Sequence, residues 1–514
     1  MIAVGIALSA FVSLAAPASG AQQYAPATVS IAQLFERNDR ALGTYAPGAY
    51  HMLTRSVPLR GDVSTSETYW QGDDDYRTTV RVGGFAWSDG EYRGREWHAD
   101  SNGVVLPSTN FEEENDPFAA AFQHADRPTS GVTLLGVTPG ASPAFVVVVT
   151  PNRGLRERRY YDAQTYLLTR VETTDYDGHQ RILEFRDYRA AFGRTLPHRI
   201  DEESDGLVTL RTTVELVERV DAAHLDLSIP ASKPLFDLSG RDSVVIPARF
   251  TDEGIVVPVS IGGRGLDFLL DSGDSDLLID PGIARELGMT PMGAVRMSFA
   301  GDFILANARA ADLSIGELRA KNVALSTANF SEWLWWHPDH RVVGLLGGDL
   351  IAAGALEVDF EKKVVTLFRV LPPDLVAQGW SALPLRLDYG TPLISATFSG
   401  RPGHFIADLG AVYSTLYPHY FDAFRINVPH GTPDQGELIT IGGRPFGIRH
   451  FTMNRLVLGD WIFGDVQVVV PTVDYAQERD YDGLIGRDTL STFNLIFDYK
   501  DGELWFKPID FGKT

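Results

Sequence analysis

The chain has 514 residues, of which 44% are hydrophobic and 22% charged, so its composition is that of a globular protein long enough for about three domains. Its formal net charge of -22 opposes attraction of the whole molecule to nucleic acids or anionic membranes, and neither is an expected partner. The sequence contains no cysteine, which excludes disulfides, thiolate nucleophiles and thiolate metal ligands.

An apolar run from Met1 to about Pro17 opens the chain, and small residues follow it, with Ser19 and Ala21 placed as in an A-x-A cleavage site. This pattern predicts a signal peptide over residues 1–21 and export to the periplasm or the medium. The alternative is a membrane anchor, but a run of about 16 residues rich in Ala and Ser is short for a bilayer span. No Lys or Arg precedes the run, which departs from the usual signal pattern. We expect no membrane span after cleavage.

Residues 22–235 alternate strand-like stretches with polar turns, which predicts an antiparallel, sheet-dominated N-terminal domain. One short helix is expected around residues 31–41, before the strands. The texture of residues 187–189 and 193–197 is similar to that of periplasmic lipoprotein-carrier-like half-barrel domains, a resemblance that carries no catalytic motif. The clearest strand-like stretches are residues 69–70, 145–149, 166–169 and 181–185.

Pro230, Pro234 and the polar stretch 239–242 indicate a linker, and we place the domain boundary near residue 235. Beyond the linker the chain repeats itself. A shift of 137 residues, the first register, superposes Asp271 on Asp408 without a gap, and with it Gly263 on Gly400, Phe268 on Phe405, Gly273 on Gly410 and Pro281 on Pro418. A shift of 139 residues, the second register, places residues 344–347 (Gly-Leu-Leu-Gly) on residues 483–486 (Gly-Leu-Ile-Gly), with Asp349 on Asp488.

The two registers differ by only two residues, so small loop insertions separate them. Residues 236–372 and 373–514 are therefore predicted to be two copies of one β lobe. In each copy an apolar strand runs into Asp, then any residue, then Gly: Asp-Ser-Gly at 271–273 and Asp-Leu-Gly at 408–410. Glycine permits a tight turn and a close approach of another backbone.

A pseudo-twofold axis between the copies would bring Asp271 and Asp408 together. Adjacent carboxylates cannot both ionise easily, so the pair would share a proton and titrate as a unit. One carboxylate could then act as a base on a water molecule while the other, protonated, polarises a peptide carbonyl. The spacing thus predicts a two-carboxylate hydrolytic site.

With these turns the chain resembles the aspartic proteases of the pepsin and retropepsin type, as an exported bacterial protein with two retropepsin-like lobes in one chain. The likeness covers the C-terminal half, from residue 237 to residue 514. A lone Asp-Ser-Gly is a weak signal, but two Asp-x-Gly turns in register, each followed by Gly, an apolar pair and Gly, are specific. The resemblance implies an aspartic endopeptidase with a peptide or protein substrate, the catalytic pair Asp271 and Asp408, and neither metal nor organic cofactor.

The resemblance also implies that the later apolar segments pass beneath the catalytic turns and pack them into position. Hairpins near residues 299–302 and 441–443 would be flaps that close over an extended peptide, or else ordinary surface hairpins. The supporting residues of the two segments are Leu345, Leu346, Gly347, Leu484, Ile485 and Gly486.

Two residues depart from the family pattern, in which Thr or Ser follows each catalytic Asp and its hydroxyl bonds to the other lobe. Ser272 can make such bonds, but Leu409 cannot, so we expect one hydrogen-bond pair to be missing and a backbone group opposite Leu409 to lack its partner. Asp274 adds a third carboxylate. If it points inward it would raise the pKa values of the pair, and if it points to solvent it would do little.

Leu409 also leaves open a degenerate protease fold, namely a non-catalytic periplasmic protein that binds a peptide or a partner without cutting it. Other site classes have less support. His337 and His340 have no third ligand at metal-site spacing, and a loop with aromatic cover is the expected structure there. Residues 262–265 lack the Lys of a phosphate-binding loop, and no Gly-x-Ser-x-Gly elbow stands at a strand-to-helix junction.

Overall fold

A computed structural model shows three β-sheets with a few short helices, which confirms the predicted mainly β fold class. The described residues are 24–72, 75–108, 131–150, 155–174, 178–238, 240–252, 254–298, 302–328, 336–337, 340–422, 435–439, 445–474 and 481–509. The predicted signal peptide, residues 1–21, lies outside them. Within these ranges no helix has the length and apolar character needed to span a membrane.

One 13-stranded antiparallel sheet accounts for the N-terminal part of the chain. Its two middle strands, β1 and β13, are the first and last in sequence, so the chain returns to its starting strand. The strands are β1 Ala49–Pro58, β2 Ser64–Gln71, β3 Asp75–Val82, β4 Phe85–Tyr92, β5 Arg95–Ala99, β6 Val105–Pro107, β7 Val132–Val137, β8 Ala144–Val149, β9 Glu157–Asp162, β10 Leu168–Thr174, β11 Gln180–Ala191, β12 Arg194–Ser204 and β13 Leu207–Val220.

Helix α1, Ile31–Leu42, precedes the sheet and confirms the predicted helix. A capping box begins it, because the Ser30 hydroxyl accepts from the Gln33 amide and the Gln33 side chain accepts from the Ser30 amide. The predicted strand at 166–169 is partly wrong: β10 starts at Leu168. Tyr166 has a φ of 61° and closes a turn whose amides are held by the Asp162 carboxylate.

The C-terminal half contains 22 strands and four short α-helices among the described residues. The strands are β14 Ser243–Ile246, β15 Arg249–Phe250, β16 Ile255–Ile261, β17 Arg264–Leu270, β18 Leu277–Ile279, β19 Met292–Ser298, β20 Asp302–Ile315, β21 Leu318–Thr327, β22 Trp336–His337, β23 His340–Leu346, β24 Ala355–Asp359, β25 Val364–Phe368, β26 Ser381–Asp388, β27 Thr391–Phe398, β28 Arg401–Ala407, β29 Thr415–Leu416, β30 Gln435–Ile439, β31 Pro445–Leu458, β32 Trp461–Pro471, β33 Gly483–Ile485, β34 Phe493–Asp498 and β35 Glu503–Pro508. The helices are α2 Pro281–Glu286, α3 Gly348–Ile351, α4 Pro418–Asp422 and α5 Arg487–Leu490, and short 3-10 turns occupy Ala222–His224 and Val376–Gln378.

The sequence repeat has a structural counterpart in the strand pairing. Strand β17 lies parallel to β23, and β28 lies parallel to β33, and equivalent residues pair in the two copies. The short strands β18 and β29 each pair antiparallel with β23 or β33 and parallel with β21 or β32. Strands β18 and β29 therefore have equivalent neighbours in the two copies.

A backbone ladder joins the two copies. Strand β24 of the first copy pairs antiparallel with β34 of the second, and Glu357 lies opposite Ile496. These two residues are equivalent in the repeat, so the pseudo-twofold axis passes between them. A continuous hydrophobic core lies across the junction and includes Phe268, Phe405 and Leu409, each with no exposed side-chain surface. The two copies therefore pack as one unit.

The N-terminal sheet contacts the first copy through hydrogen bonds from two of its loops. In the loop after β1, the Asp62 carboxylate accepts hydrogen bonds from the Gly293 and Ala294 amides at 2.7 and 3.2 Å, and the Asp62 amide donates to the Ala294 carbonyl. In the turn before β6, the Asn102 side chain bonds both backbone groups of Ala324 on β21. These contacts hold the sheet against the lobe.

Candidate active site

Each candidate catalytic aspartate lies directly after a buried strand. The Asp271 amide donates to the Leu346 carbonyl at 3.0 Å, and the Asp408 amide donates to the Ile485 carbonyl at 3.0 Å. The strands that lead into them are apolar and buried over their last three residues, which fixes the backbone up to the aspartate. The two turns are therefore held by equivalent hydrogen bonds, each to the parallel strand beside it.

The structure brings the carboxyl groups of Asp271 and Asp408 into hydrogen-bonding contact with each other. The opposing turns interlock around them. A methyl group on Gly273 would lie 2.6–2.8 Å from the Asp408 carboxyl atoms, and one on Gly410 would lie 2.3–2.4 Å from those of Asp271. Because both distances are shorter than any van der Waals contact, only glycine fits at either position.

The electrostatics of the pair are unequal. Burial raises the pKa of Asp271 well above its usual range, and the nearby charges of Asp408 and Asp274 raise it further. Burial also raises the pKa of Asp408, but hydrogen bonds from the Ala411 and Gly410 amides and from Asp271 oppose that rise. The Asp408 carboxyl group accepts two amide hydrogen bonds and that of Asp271 accepts one, from Gly273, so the amide bonds favour the ionised form at Asp408 in a pair that titrates as a unit.

Ser272 makes two bonds across the junction beneath the pair. Its hydroxyl donates to the Ala407 carbonyl at 2.7 Å and accepts from the Leu409 amide at 2.9 Å. Leu409 has no hydroxyl to return these bonds, and its side chain is wholly buried in the shared core. Half of the hydrogen-bonded crossover is thus replaced by apolar packing. The expected unpaired backbone group opposite Leu409 stays a prediction.

The supporting segments lie beside the catalytic turns. Leu345, Leu346 and Ile485 are fully buried, whereas Leu484 is half-buried and packs in a separate small cluster. A methyl group on Gly347 would lie 2.4–2.5 Å from two carbonyl oxygens of the first turn region. One on Gly486 would lie 2.7–2.8 Å from the carbonyl group of Tyr413 in the second copy. Both glycines therefore permit the close passage of the two segments.

Asp274 is half-buried beside the pair. Burial and the charge of Asp276 raise its pKa to about 7, although the Asp276 amide donates to its carboxylate at 3.0 Å. Its charge in turn contributes to the raised pKa of Asp271. Of the two orientations considered from the sequence, these interactions favour the inward one, in which Asp274 makes ionisation of the pair harder.

Two groups near the pair were missed by sequence reasoning. Behind the first turn, the Ser326 hydroxyl donates to Asp276 at 2.8 Å, next to the buried Asp349.

Tyr499 is 1% exposed, and its hydroxyl has no hydrogen-bond partner among the described residues. Burial raises the pKa of Tyr499 well above its usual range, and the charges of the catalytic pair add to the effect. Its equivalent, Phe360, has no hydroxyl, so the repeat gave no signal.

Of the flap candidates, residues 299–301 and 441–443 lie outside the described residues, and Asp302 begins β20. The strands on either side of them pair antiparallel, β19 with β20 and β30 with β31. In the part of the chain that the structure describes, no three His, Asp or Glu side chains are grouped so as to hold a metal ion. The side chains of His337 and His340 are outside that part.

Two segments, residues 257–350 and 394–489, match the family model described as aspartyl protease. The first contains Asp271 and the second Asp408, and together they cover the central part of each lobe. This match supports a protease-like fold for the two lobes. No curated protein sequence matches the chain.

Solved structures that are similar to parts of this chain include three with 9–12% sequence identity. A LolA superfamily protein from Nitrosomonas europaea has 11% identity over 38% of this chain and 94% of its own, with a TM-score of 0.30. Basic 7S globulin from soybean has 9% identity over 52% of this chain and 96% of its own, with a TM-score of 0.33. Conglutin gamma from lupine seeds has 12% identity over 52% of this chain and 95% of its own, also with a TM-score of 0.33.

Proposed function

We propose that the chain is an aspartic endopeptidase of the pepsin and retropepsin type, in which Asp271 and Asp408 activate a water molecule to hydrolyse peptide bonds. The observation that carries the proposal is the pair itself: two carboxyl groups from equivalent turns, in hydrogen-bonding contact, with each turn's glycine against the other's carboxylate. The aspartyl protease match over both turns agrees with it.

The unequal environments assign the starting roles. The Asp408 carboxylate, stabilised by two amide hydrogen bonds, takes a proton from water as the water oxygen attacks the peptide carbonyl carbon. Asp271 donates its proton to the carbonyl oxygen, which gives a neutral tetrahedral diol. When the C–N bond breaks, Asp408 gives its proton to the leaving amine nitrogen and Asp271 takes a proton from a diol hydroxyl, which forms the new carboxyl group and restores the starting state of the pair. The scheme uses no metal or organic cofactor.

We also propose that the substrate is a peptide or protein met outside the cytoplasm. The support is the apolar run followed by an A-x-A-like site in residues 1–21. In this proposal the mature chain begins near residue 22, the N-terminal domain ends near residue 235, and the lobes occupy residues 236–372 and 373–514.

The test uses the full chain and a mixed peptide library, with cleavage read by mass spectrometry from acidic to neutral pH. Asp271→Asn and Asp408→Asn should each abolish hydrolysis and leave the thermal unfolding transition cooperative, because each removes the acid and base partnership but keeps the shape. Asp460→Asn, at an exposed turn, is the matched control and should cleave normally. A chelator should have no effect. Full activity in either folded dyad variant would exclude this assignment.

The second candidate is a binding protein with a degenerate protease fold. Leu409 favours it, because the second lobe returns no hydroxyl bond to the first. Such a protein would bind library peptides, measurable by calorimetry, and release them uncut at every pH. Peptide binding without turnover in the wild-type chain would therefore replace the endopeptidase proposal with this one.

A further inference from the structure

In the second lobe, an aspartate ties the last short helix to the catalytic turn region. Asp488, in the first turn of α5, accepts from the Ser414 hydroxyl at 2.7 Å and from the Ser414 amide at 2.9 Å. Ser414 is wholly buried and lies four residues after the second catalytic turn, 408–410. Both partners come from within the lobe, so this lobe supports its own catalytic turn.

The first lobe keeps the aspartate but not the hydroxyl. In the two registers of the repeat, Asp349 is equivalent to Asp488 and Leu277 is equivalent to Ser414. The Leu277 amide still bonds to the Asp349 carboxyl group. Asp349 is only 5% exposed, and a buried carboxyl group with a missing partner destabilises the fold around it. The first lobe is therefore one hydrogen bond short at this point.

The N-terminal sheet supplies the replacement. The Asn102 side-chain amide lies 3.4 Å from the Asp349 carboxyl group and donates to it. The same side chain donates to the Ala324 carbonyl at 3.1 Å and accepts from the Ala324 amide at 2.7 Å. Asp100 also contacts the Asp349 carboxyl group, and its other oxygen accepts from the amides of Asn102 and Val104. The turn is thus held in shape from within.

Ala324 connects this contact to the catalytic turn. It lies on β21, two residues before Ser326, whose hydroxyl bonds to Asp276 in the segment that follows the turn 271–273. Strand β21 also pairs with β18, the strand that continues from that segment. Asn102 therefore fixes the strand against which the first catalytic turn rests.

We propose that Asn102 is a positioning residue for Asp271, and that it takes the place in the first lobe of the hydroxyl that Ser414 provides in the second. The N-terminal sheet is then a working part of the peptidase, through its contact with Asp349 and Ala324 of the first lobe. The idea rests on the proposed endopeptidase function for its kinetic consequence, but its structural half stands without catalysis.

The experiment compares the full-length wild type with Asn102→Ala. A misplaced catalytic group slows chemistry more than binding, so kcat on a peptide substrate should fall by about ten- to a hundredfold while KM changes less than about threefold. Amide hydrogen exchange should become faster at Ala324 and across residues 271–277. Ser414→Ala should produce the same kinetic loss and speed exchange around residues 408–414 instead.

Thr79→Ala is the matched control, since it removes a side-chain hydrogen bond of similar length, 2.9 Å to Ser88, inside the same sheet but away from the lobe. It should leave kcat and exchange in the lobe unchanged. If Asn102→Ala does not fold, Asn102→Asp retains the acceptor for the Ala324 amide and loses both donor bonds, and it should show the same losses.

Wild-type kcat together with wild-type exchange at Ala324 and residues 271–277 in a folded Asn102 variant would overturn the inference. Loss of kcat with unchanged exchange in the lobe would overturn it as well, because the effect would not pass through the catalytic turn. If the wild-type chain cleaves nothing, the proposed function fails, and the exchange comparison alone decides whether Asn102 holds the turn.

Discussion

Asp274 gives the catalytic pair a third carboxyl group, and its effect on the pH dependence has a definite sign. When Asp274 is ionised, its charge opposes ionisation of Asp271 and so raises the pKa at which the pair loses its shared proton. The pKa of Asp274 itself is raised to about 7, so this charge appears near neutral pH.

Asp274→Asn should therefore move the basic limb of the pH profile of kcat/KM to lower pH, by up to about one unit. The acidic limb should move less, because Asp274 is uncharged there. Profiles measured on one peptide for wild type, Asp274→Asn and the surface control Asp460→Asn check this. A basic limb that stays in place or moves upward would mean that Asp274 does not act on the pair.

Leu409→Thr tests how much the missing hydroxyl matters. The substitution adds a hydroxyl facing the junction, where Ser272 already crosses, and removes buried apolar surface. These effects oppose each other, so the free energy of unfolding should change by only about 1 to 2 kcal/mol. Peptidase activity should persist or rise. Denaturant unfolding and kcat/KM together measure both, and an inactive but stable variant would contradict the idea that the packing of Leu409 merely substitutes for the bonds.

The residues of the pair could be predicted because their signal is local and repeated. Asp271 and Asp408 each lie in a three-residue motif, and an equivalent apolar strand precedes each of them. Asn102 could not be predicted in this way, since its contacts lie 222 and 247 residues away in sequence. A hint was nevertheless present, because the repeat aligns Leu277 with Ser414 and so marks a lost hydroxyl.

At the scale of elements, the two catalytic turns are interlocked by sterics alone. Neither Gly273 nor Gly410 has a positive φ, so the backbone would accept alanine at both positions. The obstacle is the opposite carboxyl group, 2.3 Å from the position that a methyl carbon on Gly410 would take. The glycines are thus required by the approach of the turns and not by their conformation.

Gly410→Ala should therefore push Asp271 away from Asp408 and lower kcat by at least about a hundredfold, while the secondary structure by circular dichroism stays the same. The control is Gly464→Ala, because a methyl group at Gly464 on β32 meets no atom within 4 Å. It should retain wild-type kcat. A Gly410→Ala enzyme with normal kcat would show that the pair tolerates separation and would weaken the shared-proton mechanism.

The elements themselves were predicted unevenly. Helix α1 was expected around residues 31–41 and is present, and the buried strand β8 followed from an unbroken apolar run. The start of β10 was wrong because the turn residues around Asp162 override the strand propensity of Tyr166. The order of strands in the N-terminal sheet could not be predicted, since β1 pairs with β13 across more than a hundred residues.

At the scale of the whole molecule, buried carboxyl groups should make stability fall as pH rises. Burial raises the pKa of Asp271, Asp274, Asp276 and Asp349, so each holds a proton in the folded state at a pH where the unfolded chain has lost it. The contribution of these groups to the free energy of unfolding is fully present below about pH 4. It is lost progressively as the pH rises to the pKa of each group in the folded state, which is about 7 for Asp274. Asp201 has the opposite shift, and its contribution is complete by about pH 5.

We expect the melting temperature to fall by at least about 5 °C between pH 5 and pH 8, as measured by scanning calorimetry at constant ionic strength. Asp349→Asn should flatten this dependence, because the amide cannot ionise. The imidazole of His98 acts in the same direction: burial lowers its pKa, but Asp89 outweighs burial and raises it. A melting temperature that rises over this range would contradict the raised pKa values.

The ladder between β24 and β34 has a consequence for the origin of the molecule. Because Glu357 pairs with its own equivalent, Ile496, the register is self-complementary, as in the isologous interface of a C2 homodimer. A single ancestral lobe could have associated with an identical subunit through this edge strand and formed a symmetric site from two identical aspartates. Fusion of two such copies into one polypeptide would release the halves from that symmetry. One half could then exchange its hydroxyl for Leu409, while the other came to depend on a neighbouring domain.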